Sequence, residues 1–547
     1  MAAREPPSTL PDLLAQLVAT RGDHPAIVTR AESLHYAELD RRSAHLACGL
    51  LAAGAGKGER IGLVAPDGVL WITAFLAGLR IGAVVTCIST LATPRELAHI
   101  LQHSDCRFVI GARRFLGHDY GETLETALPG LGGSTPRAIR LTAAPFLRAV
   151  WLDDASGLGW AEPVEALLAG ADGCDRAILA AAQREVAPGD DALVVYTSGS
   201  TAQPKAVVHH HWAVTRHPLV LAENFALSPD DRMMPLLPLF WLAGLSTWLQ
   251  LFCIGGTVVF PDTPETDDAL AMIEDHGVTR VNAWGDKQPK LIAAARAKGV
   301  SLDHIAELSC FRDPQGNPVG NAIPMYGMTE SFSAHSATPV NRPLPPGKQG
   351  SFGRAIHGYE RRVVDLETGE EVPPGEPGEL QIRGPAMLAG LYKQRRIEVF
   401  TPDGFYPTRD IVRIDADGYL FPVGRRDDMI KTRGANVSRL EVEAALNGLP
   451  DVAMAVVAGL PDEEYGKLVA AAVVPAKGAS PTPEALQAAL RATLSSYKVP
   501  RRIVLIGEDD IPRTATGKIR LSETAAMIAA RLAQSGTTFE RSEAGPG

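Results

Sequence analysis

A loop of small hydroxyl residues and glycine, closed by a proline and a lysine, is the part of the sequence best suited to chemistry. An apolar, β-prone run at 193–196 leads into the loop, and Pro204 and Lys205 end it. Its hydroxyl and glycine positions are Thr197, Ser198, Gly199, Ser200 and Thr201. Backbone N–H groups in such a loop can approach phosphate oxygens because little side-chain bulk intervenes, while hydroxyls and the lysine add donors and charge. The composition suits an oligophosphate, although a solvated turn has the same composition.

The loop differs from a Walker A loop. That motif needs a glycine directly before the lysine and Ser or Thr directly after it, whereas Pro204 and Ala206 occupy those positions. The sequence therefore excludes the P-loop NTPase class.

The loop resembles the phosphate loop of the adenylate-forming enzymes, the superfamily of acyl-CoA synthetases, luciferases and nonribosomal adenylation domains. The family pattern Thr-Ser-Gly-Thr/Ser-Thr-Gly-x-Pro-Lys-Gly matches residues 197–206, except that Ala202 and Ala206 replace two glycines. Because alanine is penalised at positive φ, both changes restrict the loop. The segment 308–317 departs further from the adenine loop of the family, and one helix fewer fits between it and Tyr326.

A second motif, Tyr-Gly-Met-Thr-Glu at 326–330, matches the family in register. The ring of Tyr326 can stack on adenine, the hydroxyl of Thr329 can hold the α-phosphate, and the carboxylate of Glu330 can bind Mg²⁺ that bridges phosphates. The resemblance makes Thr329 and Glu330 catalytic residues and Glu330 the metal ligand. Alone, the pentapeptide is equally compatible with a turn.

Three residues nearer the C-terminus complete the nucleotide site that the resemblance implies. Asp410 would accept hydrogen bonds from the ribose hydroxyls, and Arg425 would contact phosphate. Lys518 ends a match to the family pattern Pro-x-Thr-x-Thr-Gly-Lys, which makes it the expected catalytic lysine. In the absence of the family match, a lysine in a glycine turn is usually a solvated surface residue.

The apolar segment 238–245 is bracketed by proline and glycine, and core packing is its ordinary interpretation. By resemblance it lines the acyl pocket through Trp241 and Gly244, with the tryptophan where the family usually carries histidine. The bulky indole favours an apolar carboxylic acid, such as one from fatty acid metabolism.

By resemblance the protein is an enzyme, an AMP-forming acid–thiol ligase of the acyl-CoA synthetase type that uses ATP, Mg²⁺ and CoA. A carboxylate would attack the α-phosphorus of MgATP and release pyrophosphate, and the thiol of CoA would then attack the acyl-adenylate and release AMP. Two alternatives stay open. One is an acyl-AMP ligase that feeds a carrier protein, and the other is a binding or regulatory protein that kept the fold and lost catalysis.

Composition bounds the remaining partners. The 547 residues carry a net charge of -10, which disfavours nucleic acid or an anionic membrane as the main partner. The six cysteines are scattered without a C-x-x-C pair, and the N-terminus lacks an apolar signal core, so we expect a reduced, cytoplasmic protein. The longest apolar stretch, 71–92, is broken by Arg80 and Gly82, which fits a buried helix and strand better than a membrane span. The sequence leaves the oligomeric state open, a dimer included.

Three consecutive histidines at 209–211 invite a metal site. Adjacent residues of a helix or strand point in different directions, so one ion cannot easily bind all three. We favour the start of a helix near the loop.

Helix-like and strand-like segments alternate along the chain and predict an α/β fold. The N-cap pattern Thr93-Pro94-Arg95-Glu96 precedes one such helix. We expect a large N-terminal domain (1–424) of helix-covered, mostly parallel sheets plus a β-subdomain, while the stretch 112–190 gives no clear element.

A small α+β C-terminal domain (425–547) follows, ending in a disordered tail at 534–547. The resemblance makes this domain mobile, with a hinge at Asp427 and the region of Gly434 brought to the thiol channel, where it would contact CoA. The dipeptide Asp417-Gly418 between β-prone runs predicts a hairpin turn.

Overall fold

The structure of the chain is a computed structural model. It describes residues 6–197, 204–283, 287–302, 304–305, 311–312, 318–319, 325–339, 344–426, 429–432, 435–462, 466–491, 494, 498–513 and 519–534. Within them the chain divides into two compact units, one of Met1–Arg361 with Ile382–Tyr406 and one of Arg362–Gln381 with Pro407–Gly547.

The helices of the described residues are mostly short and amphipathic or fully buried. They are α1 Leu10–Arg21, α2 Tyr36–Ala52, α3 Val69–Arg80, α4 Pro94–His103, α5 Tyr120–Ala127, α6 Val164–Ala169, α7 Arg176–Arg184, α8 His211–Asn224, α9 Leu242–Ile254, α10 Thr266–His276, α11 Lys287–Lys298, α12 Arg396–Val399, α13 Arg439–Asn447, α14 Pro483–Leu490 and α15 Leu521–Gln534. Single 3₁₀ turns lie at Leu131–Gly133, Gly170–Gly173, Thr329–Ser331 and Glu508–Asp510.

The strands of the first half of the chain are β1 Pro25–Val28, β2 Ser33–His35, β3 Arg60–Val64, β4 Val84–Cys87, β5 Phe108–Gly111, β6 Arg114–Phe115, β7 His118–Asp119, β8 Ala149–Leu152, β9 Glu162–Pro163, β10 Asp191–Thr197, β11 Lys205–His210, β12 Arg232–Pro235, β13 Thr257–Val259 and β14 Arg280–Asn282. Those of the second half are β15 Phe311–Arg312, β16 Pro318–Val319, β17 Met325–Met328, β18 Ser333–Ala337, β19 Arg354–Ala355, β20 Glu360–Val364, β21 Pro377–Arg383, β22 Gly390–Leu391, β23 Tyr406–Ile414, β24 Leu420–Arg425, β25 Met429–Thr432, β26 Ala435–Ser438, β27 Val452–Asp462, β28 Gly466–Pro475 and β29 Arg502–Leu505.

An eight-stranded sheet in the order β22-β11-β10-β4-β3-β5-β8-β9 organises the first unit. From β10 to β9 neighbouring strands run parallel, because helices such as α3 and α4 carry the chain from one strand back to the start of the next. The strands β4 and β5 are buried along their whole length, as expected for a sheet covered on both faces.

A five-stranded sheet, β14-β12-β13-β1-β2, is the second layer of this unit and is parallel except for β2. Helix α9 is buried nearly all round, and its Trp248 packs edge-on against Trp71 and Phe75 of α3. The predicted arrangement of mostly parallel sheets covered by helices is confirmed. The predicted N-cap is also present, since Thr93 Oγ1 accepts a hydrogen bond from the backbone N–H of Glu96 at 3.3 Å.

The second unit is a small α+β assembly. The antiparallel strands β26, β25, β28 and β27 form a sheet that β29 extends beside β28, and α13, α14 and α15 supply the helices. The predicted hairpin joins β23 to β24, and Gly418 adopts the left-handed conformation there at φ 82°. Within the described residues, no helix is both long and apolar enough to cross a membrane.

Candidate active site

The strands on either side of the predicted phosphate loop are paired with each other. The strand β10 runs antiparallel to β11, and Thr197 at the end of β10 lies directly opposite Lys205 at the start of β11. Both residues are half-buried, while residues 192–195 and 206–209 behind them are buried. The sheet therefore holds Thr197 and Lys205 as cross-strand neighbours, one directly before and one shortly after the loop segment.

One of the two alanines in the loop motif carries no backbone penalty. Ala206 lies inside β11 in extended conformation, opposite Tyr196, and its carbonyl accepts a hydrogen bond from Tyr392 N at 2.9 Å. Alanine is tolerated in a strand, so the expected restriction does not arise at this position. Ala202 lies outside the described residues.

The Tyr-Gly-Met-Thr-Glu motif forms a tight turn between β17 and β18. Thr329 and Glu330 lie in the 3₁₀ turn, and Ser331 closes it from within. The Ser331 hydroxyl accepts a hydrogen bond from Met328 N at 3.2 Å and donates to Ser333 O at 2.7 Å. The turn is therefore fixed by the hydroxyl of Ser331, which leaves the side chains of Thr329 and Glu330 for other partners.

The carboxylate of Glu330 is held by a residue that the sequence did not indicate. The Tyr406 hydroxyl donates to Glu330 Oε1 at 3.1 Å, and the backbone N–H of Leu388 donates to Glu330 O at 2.7 Å. A half-buried carboxylate in a fixed orientation is a suitable oxygen ligand for Mg²⁺. The donor at this position therefore fits the metal that the motif implies.

The ring of Tyr326 has aromatic neighbours on two sides. Its centroid lies 5.7 Å from that of His335 and 5.4 Å from that of Phe352, both in edge arrangements. These contacts fix the ring plane, and the side chain stays half-buried. An aromatic ring held in this way can offer a face to a purine.

The three consecutive histidines point to three different partners. His209 Nε2 lies 2.8 Å from Thr329 O, His210 Nδ1 lies 3.4 Å from Asp191 Oδ1, and His211 Nδ1 accepts a hydrogen bond from Leu10 N at 3.4 Å. The described residues contain no group of His, Cys, Asp and Glu side chains arranged to bind a metal. The expected helix begins at His211.

Trp241 and Gly244 lie at the start of α9. Trp241 is the N-cap residue of α9, its side chain is 41% exposed, and its ring centroid lies 5.5 Å from that of Phe240. A Cβ atom on Gly244 would lie 2.3 Å from Pro238 O, so glycine is required for the helix to approach this closely.

The half-buried carboxyl of Asp67 also fixes this segment. Leu239 N donates to Asp67 Oδ1 at 2.8 Å, and burial raises the pKa of the Asp67 carboxyl to about 7.

The second unit contains the residues predicted to contact ribose and phosphate. Asp410 and Arg425 face each other across β23 and β24, with Arg425 Nε at 2.9 Å from Asp410 Oδ1. The backbone N–H of Asp410 also donates to the hydroxyl of Thr408 at 3.0 Å. The two predicted ligands thus form one charged pair on a single hairpin.

Seven of the predicted site residues lie outside the described residues. They are Ser198, Gly199, Ser200 and Thr201 of the phosphate loop, Asp427 at the hinge, Gly434 and Lys518. The contacts of Tyr406 with Glu330 and of His209 with Thr329 were not predicted from the sequence. Tyr406 lies four residues before the predicted ribose ligand Asp410, and His209 lies in the histidine run.

The family model described as "AMP-binding enzyme" matches residues 14–392, and "AMP-binding enzyme C-terminal domain" matches residues 441–518. The chain is 28% identical to a 3-hydroxybenzoate/4-hydroxybenzoate–CoA ligase of Thauera aromatica, over 93% of this chain and 95% of that protein. It is 30% identical to a feruloyl-CoA synthase of an Amycolatopsis species, over 90% and 93% of the two chains. It is 31% identical to a sulfoacetate–CoA ligase of Cupriavidus necator, over 95% and 98%.

Two solved structures have the same fold at low identity. ATP-bound MatB from Rhodopseudomonas palustris has a TM-score of 0.77 at 24% identity, covering 94% of this chain and 98% of that one. The anthranilate CoA ligase AuaEII in complex with anthranoyl-AMP has a TM-score of 0.75 at 24% identity, covering 98% and 100%.

Proposed function

The chain belongs to the family of AMP-binding enzymes, and from that premise we propose that it joins an aromatic carboxylic acid to CoA through an acyl-adenylate. It is an AMP-forming acid–thiol ligase that uses ATP, Mg²⁺ and CoA. The identity of the acid, the roles of single residues and the motion of the C-terminal part belong to the proposal.

The observation that carries the choice of acid is the exposed indole of Trp241. An indole that is 41% exposed beside Phe240, on a segment held by Asp67, offers a flat apolar surface for a planar ring. Hydroxybenzoate and ferulate are the acids in the names of several relatives. The aromatic acid proposed here is narrower than the apolar acid expected from the sequence, which included acids of fatty acid metabolism.

The chemistry that the residues must perform is the neutralisation of negative charge. A carboxylate that attacks the α-phosphorus of ATP must approach a polyanion, so cations have to be in place before the reaction. Lys205 and Thr197 lie at the mouth of the phosphate loop, and Thr329 and Glu330 lie on one rigid turn. We assign the hydroxyl of Thr329 to the α-phosphate and Tyr326 to the adenine.

Bound Mg²⁺ would neutralise charge on the departing pyrophosphate and polarise the phosphoryl group. The carboxylate of Glu330 would hold the ion, in the orientation that Tyr406 gives it. The remaining assignments rest on the motifs: Ser198, Gly199, Ser200 and Thr201 on the phosphates, Asp410 on the ribose, Arg425 on phosphate, and Lys518 beside the carboxylate and the α-phosphate.

The second half of the reaction is the attack of the CoA thiol on the acyl-adenylate, with release of AMP. We propose that a lid, 425–547, turns about a hinge at Asp427, which withdraws Lys518 and brings the region of Gly434 to the thiol channel.

The described cysteines, including Cys48 and Cys253, are free thiols, which agrees with a cytoplasmic enzyme.

A panel of acids tests the proposal. Purified protein is incubated with MgATP and benzoate, 3-hydroxybenzoate, 4-hydroxybenzoate, ferulate, octanoate or sulfoacetate, and pyrophosphate release is followed. CoA is then added and the acyl-CoA is detected by mass. We expect the benzoates or ferulate to give the highest kcat/KM. A preference for octanoate or sulfoacetate would overturn the aromatic assignment and leave the family activity intact.

The alternatives give different results in the same assay. Pyrophosphate release without any acyl-CoA product would indicate a carrier protein as the acceptor, and no release with any acid would indicate a protein that has lost catalysis. A matched variant, Trp241→Ala, should raise KM for the aromatic acid about tenfold and leave KM for MgATP unchanged.

A further inference from the structure

His209 connects the strand that leaves the phosphate loop to the turn that carries Thr329 and Glu330. It lies on β11, four residues after Lys205, and side chains alternate along a strand, so the two residues share one face of β11 at a distance of about 13 Å. Its side chain is fully buried, and Nε2 lies 2.8 Å from the carbonyl oxygen of Thr329.

The protonation state of the imidazole follows from this contact. A carbonyl oxygen at 2.8 Å requires a donor, so the hydrogen must be on Nε2, and Nδ1 has no hydrogen-bond partner among the described residues. Burial lowers the pKa of His209 to about 3, which keeps the ring neutral at physiological pH. The bond is therefore a neutral N–H donating to a backbone carbonyl.

The turn that His209 holds is strained. Phe332 and Ser333 both have positive φ, at 48° and 102°. Residues other than glycine are disfavoured in this region. Such a pair persists only if the surroundings determine the conformation. Phe332 is fully buried, and its ring lies edge-on to the ring of His209 with centroids 4.9 Å apart. His209 therefore contacts the beginning of the turn through its hydrogen bond and the end of the turn through its ring.

A parallel connection runs through the backbone of 388–389. Leu388 N donates to Glu330 O at 2.7 Å, and Ala389 N donates to Val208 O at 2.8 Å. These bonds tie the same turn to the same strand one residue earlier. The side chain of His209 completes a closed ring of hydrogen bonds around Thr329 and Glu330.

We propose that His209 is a positioning residue for adenylation, which holds the Thr329–Phe332 turn against β11 so that the Thr329 hydroxyl and the Glu330 carboxylate keep their places relative to Lys205. The inference rests on the proposed roles of Thr329 and Glu330. Because His209 is fully buried, its effect would reach the nucleotide and the acid only through the backbone of Thr329.

The test compares three variants of the full chain. His209→Leu removes the donor at similar volume, and His209→Gln keeps a donor that reaches a similar point. His211→Leu is the matched control, because His211 is also buried and its Nδ1 accepts a hydrogen bond from Leu10 N, away from the turn. Each is assayed for ATP–pyrophosphate exchange, for thioester formation from a synthetic acyl-adenylate and CoA, and for affinity for MgATP by calorimetry.

We expect His209→Leu to weaken MgATP binding about tenfold and to lower kcat of exchange about 10- to 100-fold, with thioester formation within about threefold of the unchanged protein. His209→Gln should restore most of the exchange, and His211→Leu should lose stability without this selective loss. Equal losses in both half-reactions, or in His209→Leu and His211→Leu alike, would overturn the proposal.

Two readouts separate this inference from the proposed function. If the unchanged protein shows no exchange with any acid, the proposed function fails. The affinity of His209→Leu for MgATP, relative to that of the unchanged protein, still decides the role of His209. If His209→Leu does not fold, ¹⁵N NMR of the histidines in the unchanged protein, with His209→Gln to assign the signal, decides instead. A neutral ring protonated on Nε2 supports the proposal, and protonation on Nδ1 contradicts it.

Discussion

Arg425 Nε lies 2.9 Å from Asp410 Oδ1, although the arginine side chain is 60% exposed and the aspartate side chain only 3%. The register of β23 and β24 places the two residues opposite each other. A buried carboxylate is stable only where a cation or hydrogen-bond donors compensate for its lost hydration. The guanidinium of Arg425 therefore stabilises Asp410 in addition to any contact it makes with a ligand. The residue expected to contact phosphate also holds the residue expected to bind ribose.

Removal of this guanidinium should affect both stability and nucleotide binding. We expect Arg425→Met to lower the free energy of unfolding by about 1–3 kcal/mol, because it leaves the carboxylate of Asp410 without its cation, and to raise KM for MgATP. Urea denaturation and exchange kinetics measure the two effects. Arg413→Met, a change of an exposed arginine on the same hairpin, is the control and should cost less than about 1 kcal/mol. Equal stability of both variants would contradict the assignment.

Tyr406 should set the response of the enzyme to Mg²⁺. Tyr406→Phe removes the hydroxyl that donates to Glu330 Oε1 and keeps the ring beside Phe400. We expect the Mg²⁺ concentration for half-maximal exchange to rise about threefold, which corresponds to one lost hydrogen bond. Glu330→Gln should cause a much larger loss that added Mg²⁺ does not restore. An unchanged Mg²⁺ titration for Tyr406→Phe would show that the contact has no functional weight.

Lys518 should matter for one half-reaction only. Lys518→Ala is expected to lose ATP–pyrophosphate exchange by at least about 100-fold, because a positive charge beside the developing anionic centre is missing. Thioester formation from supplied acyl-adenylate should persist, since the lysine would have moved away by then. Lys477→Ala, an exposed lysine in the same unit, is the control. Near-normal exchange in Lys518→Ala would refute its catalytic role.

Buried histidines should make the fold sensitive to acid. Burial lowers the pKa of His209 and His335 to about 3 and that of His211 and His217 to about 4, from 6.5. As the pH falls, these histidines take up protons in the unfolded chain before they do so in the folded protein. Their contribution to the free energy of unfolding is therefore complete above pH 6.5 and is lost as the pH falls towards the folded pKa values. We expect a loss of about 1 kcal/mol per histidine per pH unit, measured by urea denaturation at pH 7.5, 6.5 and 5.5. A flat profile would show that these rings are hydrated.

Asp67 should act in the opposite direction. The pKa of Asp67 is raised from 3.8 to about 7. The contribution of the protonated carboxyl to the free energy of unfolding is therefore complete below pH 3.8 and is lost as the pH rises through 7. Asp67→Asn keeps an oxygen for Leu239 N and cannot ionise. Relative to the unchanged protein, it should gain on the order of 1–3 kcal/mol between pH 5.5 and pH 8. A stability difference that is constant with pH would contradict a titrating acid.

Much of the fold follows from local sequence because its longer elements carry clear patterns. The N-cap at Thr93, the strand before Thr197 and the hairpin at Gly418 each depend on neighbouring residues alone, and each is present. The stretch 112–190 resisted prediction for the opposite reason. Its strands are as short as two residues and α6 has six, too few for a period to show.

Motifs name candidate site residues directly in the sequence, whereas contacts across the fold could not be predicted from it. Tyr406 and Glu330 are distant in sequence, as are His209 and Thr329, and hydrogen bonds between them leave no periodic trace. The penalty expected for Ala206 was wrong because a motif gives residue types without their backbone conformation. In this protein Ala206 belongs to the strand and not to the loop.

In the proposed acyl pocket, the tight approach at Gly244 limits how the acid preference can be redesigned or can diversify in evolution. With Pro238 O only 2.3 Å from the site of a Cβ, even alanine would push the helix away from the chain before it. A mutant library for new acids should therefore keep position 244 constant and vary position 241, where the exposed side chain leaves room for shape to change without moving the backbone.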